Sequence, residues 1–129
     1  MHALIASLPA PIKSFLKRFP PAIEGLRYAL RHDKSVRGQF FGGALVIFLT
    51  LFISLFLSQQ PTLVEVILLL LGWILILITE LQNSAIEVAL DHLHPERHPE
   101  IKKSKDTAAG AVLLSGIFFS FIVAVVLLT

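Results

Sequence analysis

Cysteine is absent from this chain, which excludes disulfides, thiolate metal sites and a cysteine nucleophile. Charge is scarce: Asp, Glu, Lys and Arg make up 16% of the 129 residues, against 55% hydrophobic residues and a mean hydropathy of +0.78. That balance is too apolar for an ordinary soluble domain. Also missing are a G-x-x-x-x-G-K-[ST] phosphate loop, a glycine-rich kinase loop with H-R-D and D-F-G, and a G-x-S-x-G elbow, so no standard motif assigns a reaction. His92, His94 and His98 lie close together, but Pro95 and Pro99 interrupt them and no H-E-x-x-H accompanies them, which argues against a transition-metal site. No nucleic-acid partner is expected.

Apolar runs are what the chain has in quantity. Crossing a hydrocarbon core takes roughly 20 apolar residues per helix, so three spans and two polar segments account for nearly the whole length. The expected fold is an all-α membrane protein, a single membrane-embedded domain over 1–129 with no room for a separate soluble domain. Lys13, Lys17, Arg18, Arg27, Arg31, Lys34 and Arg37 alternate with Ile23, Leu26, Tyr28 and Leu30, which predicts an amphipathic helix on the membrane surface over about 10–38. A cleaved leader is the competing reading, but the first residues are hardly basic and the apolar stretch there is short and followed by prolines.

The first span is placed at 40–57, and Ser58 to Thr62 form an uncharged turn. A second helix runs from about 62 to 90 without a Gly or Pro break between its apolar part and ELQNSAIEVAL. At about 1.5 Å per residue it reaches roughly 43 Å, longer than the ~30 Å of hydrocarbon, so its last turns tilt or emerge into headgroups and water. A polar link over 91–106 carries Arg97, Lys102, Lys103 and Lys105, and the last span covers 107–128. Both basic segments fall on one side of this layout and the outer turn holds no Lys or Arg. The positive-inside rule then makes the N-terminus and the link cytoplasmic and the C-terminus external. Gly38 and Gly42, at GxxxG spacing, and Trp73 are read as sites of close packing.

Glu80, Asn83, Glu87 and Asp91 stand out. At about 100° per residue their offsets place them at roughly 0°, −60°, −20° and +20°, so all four share one face. For Asp91 a solvated polar face is sufficient explanation. Glu80 follows LILIT directly, and an ionisable group at that depth is costly unless it faces a bundle interior, water or a partner. Carboxylates with an amide suit a hard cation such as Mg²⁺, which takes one or two carboxylates and fills its shell with water and phosphate oxygens. The link supplies cations for phosphate, although positive-inside charge alone also accounts for them, and Asp106 at the start of the third helix also reads as a cap. Together these features point to a boundary site where a water-soluble phosphate compound meets a lipid headgroup.

ELQNSAIEVALD over 80–91, followed by KSKDTAAGAV over 103–112, resembles the small bacterial integral-membrane diacylglycerol kinase family, whose pattern is close to E-x-x-N-[ST]-A-I-E-x-x-x-D, a link, then A-K-D-x-[AG]-[AS]-A-V. GLRYAL at Gly25 to Leu30 adds a weaker match, and the resemblance covers about 20–128. It implies an ATP- and Mg²⁺-dependent lipid kinase of the bacterial inner membrane, a homotrimer whose sites are shared between subunits. Glu80 would take the proton from the lipid hydroxyl, and Asp33 with Glu87 would bind the magnesium accompanying ATP. Asn83, Lys105 and Asp106 would hold or contact the nucleotide, bordered by Glu96, Arg97 and His98, while Arg27 and Arg37 match basic positions near the lipid.

Two departures stand against the pattern: Asp33 occupies a position usually held by Glu, and Gln39 one that is often Glu or His. FPPAIE before Gly25 also lacks the pattern of the Gram-negative branch, so contacts at that end are not carried over. Diacylglycerol is the expected substrate. Undecaprenol is the alternative, because KDTAAGAVLLS looks more like the Gram-positive branch and HPERHPEIKKSKD more like the other. A non-enzymatic small helical membrane subunit would account for the spans but not for the acidic stripe. A proton or ion pathway would need further ionisable residues deep in the spans, and the third has none.

Overall fold

The computed structural model describes residues 9–57, 60–96 and 98–128, and it falls into two units, one ending at Asp33 and one beginning at Lys34. The first unit holds α1 (Ala10–Leu16) and α2 (Phe19–His32). Prolines fix this division: Pro20 and Pro21 lack the N–H that a helix interior requires and are accommodated at the start of a helix, so a continuous helix cannot run through them. The expected surface helix over 10–38 is therefore two helices. It also stops earlier, because Asp33 is extended (φ −94°, ψ 118°) while its amide still bonds Ala29 O at 2.9 Å. Arg31 and His32 occupy the last turn of α2, where positive charge is favoured by the helix dipole. No described residue of α1 or α2 is buried, and Ile23 and Leu26 stand exposed among the basic residues, the character of an interfacial helix.

The second unit is three long helices, α3 (Lys34–Phe56), α4 (Leu63–Leu93) and α5 (Pro99–Leu128), each long and apolar enough to cross a membrane. Among the described residues there is no strand, and a helix suits lipid because it satisfies its backbone internally. Two boundaries differ from the sequence expectation. α3 begins at Lys34 rather than Phe40, because KSVRGQ holds no proline and its single Gly38 is tolerated within the helix; hydropathy locates the lipid boundary, not the helix end. α5 begins at Pro99 rather than Thr107, with the proline opening the helix and Glu100 in its first turn. The supposed link over 91–106 is mostly helix, and Asp106 is no N-cap but lies well inside α5.

Side chains from all three helices form the core: Ile47 from α3, Leu69 and Ile76 from α4, and Phe119, Ile122 and Val126 from α5. Glycine permits the close approach, though not where the GxxxG spacing suggested. A Cβ added to Gly38 or Gly42 meets nothing within 4 Å, whereas one on Gly43 would collide with the Trp73 indole. One at Gly72 would fall 2.9 Å from Phe119 Cδ2 and 3.0 Å from Ile122 Cδ1. Trp73 has the packing role expected of it, stacked into α3 with its indole N–H donating to Gln39 O at 3.1 Å. At the far end of α4, Thr62 and Glu65 form a capping box: the Glu65 carboxylate accepts from the Thr62 amide at 2.6 Å, and the Glu65 amide donates to Thr62 Oγ1 at 3.3 Å.

Replacing Gly72 with leucine should lower the thermal midpoint of the detergent-solubilised protein, by a destabilisation of about 1–3 kcal/mol for an overpacked core. An unchanged midpoint would mean that α4 and α5 do not meet at Gly72.

Candidate functional site

Four positions on one face of α4 pass from interior to surface along its last turns. Glu80 is 4% exposed and Asn83 9% exposed, Glu87 is half-buried, and Asp91 is exposed. The arrangement follows from the helix length: 31 residues at about 1.5 Å per residue reach roughly 46 Å, so part of α4 stands beyond the hydrocarbon. A buried carboxylate requires a donor, and Ser35 in the first turn of α3 supplies one, its hydroxyl donating to Glu80 Oε1. Asn83 Nδ2 donates to Glu87 Oε1 at 3.3 Å. Asn83 Oδ1 is buried without a hydrogen-bond partner, a situation that costs about 1–3 kcal/mol unless a ligand or water relieves it. One residue before Glu80, Thr79 Oγ1 lies 3.2 Å from Oγ of the buried Ser115, which bonds Ala111 O at 2.9 Å, so a polar layer crosses all three helices at this level.

Beyond this layer lies an open cleft of about 600 Å³ lined by Asp91, His94, Glu96, His98, Lys102 and Lys105. Lys105, on α5, forms an ion pair with Asp91, on α4, which joins the two helices across the mouth of the cleft. His98 Nδ1 accepts from the Glu100 amide at 3.2 Å at the start of α5. Lys103 pairs with Glu100 at 2.8 Å on the exposed side, a contact worth little to stability. The cleft combines cations that suit phosphate with histidines and a polar rim open to water.

Of the residues singled out by sequence, Glu80, Asn83 and Glu87 come together on α4, and Glu96, His98 and Lys105 come together around the cleft. Asp106 lies one residue further along α5 and is exposed; Arg37 is half-buried on α3. Arg27 is exposed on α2, and Asp33 ends the first unit. Arg97 lies outside the described residues. Among the described residues no three His, Cys, Asp or Glu side chains gather as a metal cluster. Sequence reasoning missed Ser35, Thr79 and Ser115. Thr79 adjoins Glu80 and was open to inspection, but nothing in the sequence pairs Ser35 with a residue 45 positions away.

A family model described as prokaryotic diacylglycerol kinase matches residues 21–128. A diacylglycerol kinase of Haemophilus influenzae is 29% identical over 94 residues, covering 73% of this chain and 75% of the relative. A diacylglycerol kinase of Helicobacter pylori strain J99 is 47% identical over 55 residues, 43% of either chain.

Proposed function

The chain belongs to the prokaryotic diacylglycerol kinase family and is a multi-pass membrane lipid kinase, and on that premise we propose that it transfers the γ-phosphate of ATP to the hydroxyl of diacylglycerol, giving phosphatidic acid. The observation that carries this reading is the buried Glu80 carboxylate, set between apolar helix and open cleft and continued by Asn83 and Glu87 on the same face. Phosphoryl transfer asks chiefly for positioning and charge neutralisation. In the proposed step Glu80 accepts the proton of the lipid hydroxyl as its oxygen bonds to the γ-phosphorus, and the bond to the β-phosphate oxygen breaks to release ADP. Lys105 and Asp106 contact the nucleotide, with Glu96 and His98 bordering it; Arg97 is assigned there by resemblance alone. Arg27 and Arg37 attract the lipid.

Mg²⁺ fits the donor set. Glu87 offers a carboxylate, the neighbouring Asn83 Oδ1 is a buried acceptor without a partner, and magnesium needs only one or two protein carboxylates. Bound with ATP, it would neutralise phosphate charge; Asp33 joins Glu87 in holding it by resemblance alone. Exposed apolar side chains such as Phe41, Phe48, Phe52, Leu113 and Phe121 suit lipid or further copies of the chain, and a homotrimer with shared sites is part of the proposal. So is the orientation, with the N-terminus and the cleft facing the cytoplasm and the C-terminus outside. Undecaprenol is the second reading, favoured by KDTAAGAVLLS at the start of the third span. The family match displaces the non-enzymatic alternative.

Purified protein supplied with ATP and Mg²⁺ should phosphorylate diacylglycerol in preference to undecaprenol, and Glu80→Gln should reduce turnover by about 100-fold or more while nucleotide binding persists. Preference for undecaprenol would transfer the proposal to that substrate, and near-normal turnover in Glu80→Gln would remove the assigned base. Glu87→Gln should raise the Mg²⁺ concentration needed for half-maximal activity; an unchanged requirement takes Glu87 out of the metal site. Mixed oligomers of Glu80→Gln on α4 and an inactive variant on α5, such as Lys105→Ala, should recover activity if subunits share sites, and none if each chain holds a complete one.

A further inference from the structure

The hydroxyl of Ser35 is the hydrogen-bond partner of Glu80 among the described residues. It comes from another helix, and that helix is fixed in register. Val36, the next residue, is 1% exposed; one turn on, Gln39 O accepts from Trp73; one further turn on, Gly43 lies against the same indole. Positions 39 and 43 meet Trp73 of α4, and buried Val36 continues their stripe on α3. Ser35 stands at the end of this stripe, so its hydroxyl is delivered to Glu80 by a packed helix pair and not by a loop.

A glutamate side chain has several rotamers, and two chemically identical oxygens to offer an incoming hydroxyl. A donor on one of them removes this freedom before substrate arrives, and such preorganisation is a recognised source of rate. Resting on the reading of Glu80 as the base, we infer that Ser35 is a positioning residue for phosphoryl transfer: its hydroxyl holds Oε1 of Glu80, so that Oε2 takes the proton of the lipid hydroxyl. The proton moves from the hydroxyl to Oε2, the hydroxyl oxygen bonds to the γ-phosphorus, and the electron pair of the breaking bond leaves on ADP. Ser35 keeps its own proton throughout and touches neither reactant.

The test uses full-length protein in detergent, assayed well below its thermal midpoint, with wild type and Glu80→Gln alongside. Ser35→Ala should lower kcat by about tenfold with the KM for ATP within about twofold of wild type, the pattern of a slowed chemical step with substrate binding intact. Ser35→Thr, which keeps the hydroxyl, should restore most of kcat. Ser35→Cys keeps the volume but donates weakly and should fall between, which retains a readout if the alanine variant fails to fold. Wild-type kcat in Ser35→Ala, a threonine variant as slow as alanine, or a raised KM at constant kcat would each overturn the positioning role. Turnover unaffected by Glu80→Gln would overturn the underlying assignment of the base, a separate result in the same preparation.

Discussion

Keeping one carboxylate at the margin of a lipid-solvated bundle is the demand around which this molecule is arranged. An ionised Glu80 surrounded only by hydrocarbon would be prohibitively expensive, and moved fully into water it could not serve a lipid hydroxyl in the role proposed for it. The structure meets both needs through position and partner. α4 is long enough to carry Glu80 out of the apolar stretch, and α3 begins early enough to bring a hydroxyl to it. The polar layer of Ser35, Glu80, Thr79 and Ser115 lies directly above the apolar core, so the site and the packing of the bundle belong to one continuous arrangement.

Lipid as solvent explains much of the rest. Between helices already surrounded by hydrocarbon, burial of apolar area gives little advantage, and association depends on close contact. Gly43 and Gly72 supply it by admitting the Trp73 ring on one side of α4 and Phe119 with Ile122 on the other. Thr50 and Ser54, buried in α3, turn their hydroxyls to the carbonyls of Val46 and Thr50, which satisfies them without an interhelical partner. Exposed phenylalanines and leucines that would be a liability in water are here the ordinary outer surface of a membrane helix.

The three spans and the α4 stripe were legible because both depend on local periodicity and composition. Helix ends were less so. Hydropathy marks where lipid stops, and helices ignore that boundary when no proline enforces it, as at Lys34. Pro99 misled in the opposite direction: read as an interruption, it is the first residue of α5. The GxxxG spacing at Gly38 and Gly42 pointed to the right helix but not to its packed face, since Gly43 lies about 100° further round the helix than Gly42. The T-x-x-E box at Thr62 was readable and overlooked. Ser35 was not readable, because a contact between helices leaves no trace in the local sequence of either.

α4 ends at Leu93 and α5 begins at Pro99, which has a thermodynamic consequence for the cleft. Had the segment over 91–106 been a loose loop, any ligand of the cleft would have to freeze many backbone torsions on arrival, at about 1–2 kcal/mol for each residue ordered. With Asp91 and Lys105 already on helices, most of that ordering belongs to folding rather than to binding. Affinity for a polyanion can then rest on a few charged contacts, and such a ligand can leave without the walls of the cleft having to unfold.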